Sequence, residues 1–119
     1  MQKNVFISYT MRDNRLSRTK LNEFKNALKT LNFLSTFIDA LDNNDVISPQ
    51  NEVMAQLMRS DVVWLINSAE ISESKWVLKE IETATKYNKI IHKLSVETMD
   101  NIIHAKDSST VLKIIQNYV

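Results

Sequence analysis

Hydrophobic and polar positions change period several times along the chain, and each change marks an element. Val5-Phe6-Ile7-Ser8-Tyr9 is a short β-branched and aromatic run that reads as a strand. A polar segment through Asp13 leads into Leu21, Phe24, Leu28 and Leu31 at helical spacing. Phe33 to Asp39 reads as a second strand, and Ala40 to Ile47 as a polar loop. That loop is ended by Ser48-Pro49, an N-cap followed by proline at the first helical position of a helix reaching about Ser60. Asp61 to Asn67 is nearly all apolar, as a strand covered on both faces should be. Ser72 or Ser74 can cap the next helix, Lys89 to Val96 reads as a fourth strand, and Ile102 to Ala105 as a short fifth. Ser108 or Ser109 is expected to cap a terminal helix with Val111, Leu112, Ile115 and Val119 on one side.

Strands alternating with helices, several of the strands apolar throughout, predict an α/β domain with a doubly wound parallel sheet and right-handed crossovers. In such sheets ligands bind beyond the carboxyl ends of the strands, where strand order reverses, so the loops after Tyr9, Asp39 and Asn67 are expected to converge. Just beyond the third loop, the segment Ser74 to Ala84 carries an anomaly. At about 100° per residue, Trp76, Val77, Ile81 and Ala84 share one arc, with Lys75, Lys79, Glu82 and Lys86 roughly opposite. Glu80 falls inside the apolar arc. A carboxylate on an inward face must be desolvated, paired or used, which makes Glu80 the first candidate for chemistry.

Length and composition narrow the function classes. The 119 residues suit one domain spanning residues 1–119. Fifteen basic and fourteen acidic residues nearly cancel, which argues against partners recruited by bulk charge, whether nucleic acid or anionic membrane. Cysteine is absent, removing disulfides, thiolate nucleophiles and cysteine-ligated zinc, and His92 and His104 lie apart without carboxylate company, so no metal site is expected. Glycine is absent too, which excludes a P-loop or a Gly-x-Gly-x-x-Gly turn; any nucleotide would be held by side chains, helix termini and ring stacking. No apolar stretch reaches the roughly 20 residues that span a bilayer, and no secretory signal follows Met1, so a cytoplasmic location is expected.

Four segments together resemble a Toll/interleukin receptor (TIR) domain: Val5-Phe6-Ile7-Ser8-Tyr9, Phe37-Ile38-Asp39, Asp61 to Ser68, and Ser74 to Ile81. Their order and spacing cover nearly the whole chain, from Lys3 to Val119. The resemblance is closest to bacterial-type TIR proteins that cleave NAD, in which a Trp-x-x-x-Glu helix carries the catalytic glutamate; here the pattern is Trp76 and Glu80. It implies a flavodoxin-like three-layer sandwich with a five-stranded parallel sheet. It also implies cleavage of the nicotinamide–ribose bond of NAD+, a substrate rather than a cofactor, to give ADP-ribose or a cyclic isomer.

Within that resemblance Glu80 is the catalytic carboxylate, Tyr9 and Trp76 offer aromatic surface to nicotinamide or adenine, and Asp39 with Ser8 hold ribose hydroxyls. Each has a structural alternative: Trp76 as a packing anchor, Tyr9 as a hydrogen-bonding partner of a neighbouring loop, Asp39 as a strand-end turn residue. The expected setting is self-association through TIR–TIR contacts, with the product acting as an antiphage signal for a separate effector. The rival from another class is a non-catalytic TIR scaffold. A response-regulator receiver fits less well, since Asn67 occupies the neighbourhood of its phosphoacceptor aspartate, and a nucleoside deoxyribosyltransferase-like enzyme would also use a helix glutamate.

Overall fold

The changes of period build a parallel sheet between two helical layers. The computed structural model describes residues 2–11, 16–43, 47–68 and 74–119. In chain order these form β1 (Lys3–Ser8), α1 (Arg18–Leu28), β2 (Leu34–Ile38), α2 (Asp39–Asp42) and α3 (Pro49–Arg59), followed by β3 (Val62–Asn67), α4 (Lys75–Lys86), β4 (Ile90–Ser95), α5 (Val96–Ile103) and α6 (Ser108–Ile115). The strand order is β2-β1-β3-β4, all parallel, with Ile7 opposite both Ile38 of β2 and Trp64 of β3. Strand order therefore reverses at β1, and the carboxyl ends of β1 and its neighbours form the rim where α/β sheets accept ligands.

Side-chain alternation along β1 divides the core. Val5 and Ile7 join Leu21, Phe24, Trp64, Met99 and Ile115 on the side covered by α1, α5 and α6. Phe6 points the other way, stacking on Phe37 at 5.6 Å between ring centroids, and packs with Val53, Leu57, Val63 and Ala84 beneath α3 and α4. Ser8, two residues after Phe6, shares that second face and so projects toward α4.

Several expectations are corrected. Among the described residues the sheet has four strands, not five: Ile102 and Ile103 end α5, and Ala105 N–H closes a turn onto the Ile102 carbonyl at 3.2 Å. The reason is local. Ser95 accepts the Thr98 N–H at 3.0 Å as a cap, and Val96, Met99 and Ile102 bury one helical stripe. The loop expected from Ala40 begins instead as the short helix α2, tied down by Asp42, whose Oδ2 accepts both the Ile38 N–H at 2.8 Å and the Lys25 ammonium at 2.7 Å. Asp107, rather than Ser108 or Ser109, caps α6 by accepting the Thr110 N–H at 2.9 Å. Asp13 and Ser72 lie outside the described residues.

A chain without glycine must still turn from α4 into β4. Asn88 does so at φ 57, with its N–H on the Thr85 carbonyl at 3.1 Å and the Lys89 N–H on the Ala84 carbonyl at 2.9 Å. This is a Schellman closure with asparagine in the left-handed position. Among the described residues no helix is long and apolar enough to cross a membrane.

Candidate active site

Glu80 reaches the sheet rim because α4 starts where it does. Ser74 accepts the Val77 N–H at 3.3 Å, starting the helix so that Val77, Glu80 and Ala84 fall on its buried stripe. Glu80 is only 4% exposed, and Ser8, at the end of β1, is 1% exposed. The two meet: Ser8 Oγ donates to Glu80 Oε1 at 2.8 Å. Among the described residues no lysine or arginine forms an ion pair with this carboxylate; the pairs present are Lys20 with Asp100 and Lys25 with Asp42.

An acid so placed is destabilised as an anion. Burial pushes the Glu80 carboxyl up from 4.5 to about 7, the Ser8 hydrogen bond works against that rise, the Asp39 charge adds to it, and a side-chain hydrogen bond from Trp76 opposes it. The group is close to half ionised at neutral pH. Tyr9 is likewise held up, to about 12, by burial foremost, with the Asp39 and Glu80 charges adding to the rise and the Ala40 hydrogen bond and Arg18 opposing it. Its phenol therefore stays neutral across the physiological range.

Glu80 opens onto a cleft of about 180 Å³ lined also by Ile7, Tyr9, Thr10, Met11, Asp39 and Trp76. A second depression of about 240 Å³ shares Asp39 and Trp76 and continues over Pro49, Gln50 and Val53 at the start of α3. Asp39 and Trp76 thus stand where the two depressions join. The Trp76 ring is half-buried, packs against the Phe6–Phe37 side of the core and carries the Lys79 ammonium 5.4 Å from its centroid. Lys75, Lys79 and Lys86 are exposed, as the polar arc of the helix predicts.

Of the five residues singled out in the sequence, four line the cleft and one supports it from behind. Tyr9, Asp39, Trp76 and Glu80 surround the same space, whereas Ser8 is not among its lining residues and donates its hydroxyl proton in a hydrogen bond to Glu80. Tyr9 also serves the neighbouring segment, its hydroxyl accepting the Ala40 N–H at 2.8 Å. Asp39 opens α2 and accepts the Asn43 side-chain amide at 2.7 Å through Oδ1. Thr10, Met11, Pro49, Gln50 and Val53 were not foreseen as lining residues; the available signal was position, just past β1 and at the proline-started N-terminus of α3. Of the three loops expected to converge, those after Tyr9 and Asp39 do so, while residues 69–73 lie outside the described set. Among the described residues, no three histidine, aspartate or glutamate side chains gather as a metal site requires.

No family model matches the chain, and no curated protein matches it. Among solved structures it is similar to the TIR domains in the structure of the activated Roq1 resistosome directly recognizing the pathogen effector XopQ. The match has a TM-score of 0.60 and 18% sequence identity, covering 98% of this chain and 72% of that one. The chain has a TIR-like α/β fold.

Proposed function

We propose that this chain is a TIR-domain NAD+ glycohydrolase or ADP-ribosyl cyclase with Glu80 as its catalytic carboxylate. The observation that carries the reading is a buried carboxylate with no cationic partner among the described residues, opening onto a cleft walled by an aromatic ring and a second acid.

The chemistry suits a single acid. Hydrolysis of an ordinary glycoside needs one group to protonate the leaving oxygen and another to act as nucleophile or base. The nicotinamide nitrogen of NAD+ is already positively charged and departs neutral with the electrons of the ribosyl bond, so no general acid is needed. Charge then develops on the ribosyl carbon, and an ionised Glu80 beneath it stabilises the cation in a low-dielectric setting. Water adding to that carbon and losing a proton yields ADP-ribose; attack by an adenine nitrogen of the same molecule yields a cyclic product. Trp76 offers a ring face for stacking, Asp39 accepts hydrogen bonds from ribose hydroxyls, and the second depression gives the rest of the dinucleotide a path toward α3. The reaction would serve as a signal in antiphage defence, with TIR–TIR contacts ordering the site and a separate effector reading the product.

A scaffold role is the second reading, favoured by large apolar side chains left exposed along α4 and the start of β4: Leu78, Tyr87 and Ile90. Mass spectrometry after incubation with NAD+ separates the two. Nicotinamide release that vanishes in Glu80→Gln supports the enzyme; no release even from concentrated, self-associated protein, with association indifferent to Glu80→Gln, supports the scaffold.

A further inference from the structure

We infer that Ser8 is a positioning residue for Glu80: its hydroxyl holds one carboxylate oxygen on the sheet side, turns the other toward the cleft, and favours the ionised form that the reaction uses. This rests on the reading of Glu80 as the group beneath the ribosyl cation, and it gives Ser8 a role other than contact with ribose.

Three observations carry it. The contact is 2.8 Å long, between two side chains that are both almost fully buried. Ser8 does not line the cleft that Glu80 lines. A serine hydroxyl also has one proton, and here it is donated in the hydrogen bond to Oε1, so it is not free to donate to a sugar oxygen. The backbone that aims it is rigid, since β1 is the inner strand between β2 and β3 and Ser8 pairs with Leu65.

The groups facing Glu80 leave this hydroxyl an unusual share of the work. Among the described residues, Asp39, from the start of α2, is an acid and opposes ionisation; Tyr9, just past β1, is a neutral phenol; Trp76, one turn earlier on α4, favours ionisation less than Ser8 does; no titratable group of α3 or β3 acts on the carboxyl. A hydrogen bond made to the charged form stabilises that form, and in a low dielectric it does so strongly.

The test is the titration of the Glu80 side-chain carbon by 13C NMR on labelled protein, its signal assigned by its loss in Glu80→Gln. Ser8→Ala is expected to raise the midpoint by about one pH unit, the size of one charge-assisted hydrogen bond. Ser8→Cys, which keeps the volume but donates weakly, should raise it too if the alanine variant folds poorly, and Ser8→Thr should restore it. In nicotinamide release, kcat of Ser8→Ala should fall roughly fivefold near pH 7, as the ionised fraction of Glu80 does for a one-unit rise, and recover at higher pH, with KM unchanged. An unmoved midpoint in both Ser8→Ala and Ser8→Cys overturns the inference, as does a loss seen in KM alone. Should the midpoint move while wild-type protein releases no nicotinamide, the serine–carboxylate coupling stands and the NAD-cleaving reading falls.

Discussion

Ser8 and Glu80 are 72 positions apart in the chain, yet the serine hydroxyl donates to the glutamate carboxylate at 2.8 Å inside the protein. That contact joins the end of β1, one of the two inner strands, to the second turn of α4. It keeps a carboxyl whose anion burial disfavours within reach of ionisation at neutral pH.

Activity should therefore follow the ionised fraction of Glu80. On the proposed reading, with the carboxyl of the free protein held up to about 7 by burial, kcat/KM for nicotinamide release is expected to rise with pH through that value and to level off above it. Glu80→Gln should cost about 10²–10³ in kcat at the plateau, the usual scale for removing one preorganised electrostatic group, and should erase the pH dependence. A pH–rate profile of both proteins checks this.

The same acid should make the fold pH-sensitive in a definite direction. Its folded pKa lies above its ordinary 4.5, so the fold favours the protonated form. The associated stability is fully present below about 4.5 and is lost as pH rises through about 7. Glu80→Gln should accordingly match wild type near pH 4 and exceed it at pH 8 by up to about 3 kcal/mol, read as a widening gap in urea midpoints or Tm.

Asp42 should matter more than a surface acid. Its Oδ2 accepts from both Lys25 and the Ile38 N–H, while Lys25 Nζ also donates to the Thr36 carbonyl at 2.7 Å. Asp42→Ala leaves a half-buried ammonium and a strand-end N–H without that partner, with an expected loss of about 1–3 kcal/mol in chemical denaturation. Because α2 begins at Asp39, a rim residue of the cleft, the variant should also raise KM for NAD+.

Asn88 offers a gain. Its left-handed backbone at φ 57 is one glycine adopts without Cβ strain. Asn88→Gly should hold or raise stability by a few tenths of a kcal/mol, whereas Asn88→Ala should lower it by roughly 1 kcal/mol. Urea denaturation of the two variants beside wild type measures both.

Much of the site was legible one element at a time. Helical spacing alone placed Glu80 on the arc with Val77 and Ala84, and the structure buries those three together. The short β-branched and aromatic run at Val5 to Tyr9 located the strand whose end carries the rim. The fifth strand failed because Ile102 to Ala105, a short apolar run, fits either period; Val96 and Met99 upstream supply the helical stripe that decides it. The start of α2 was hidden for a related reason: four polar-rich residues carry too little pattern, and Asp42 holds them through partners on β2 and α1.

The sequence by itself determined the alternation of elements, the inward face of α4 and the exclusion of glycine-dependent phosphate loops, because these depend on spacing and residue type within a few turns of chain. Only the tertiary structure decided that Ser8 supports Glu80 from behind the cleft, that Asp39 and Trp76 meet where two depressions join, and that the acid lacks a cationic partner among the described residues. Those facts depend on which strand ends lie side by side, and hence on how much water is removed from one carboxylate, a quantity that no local pattern encodes.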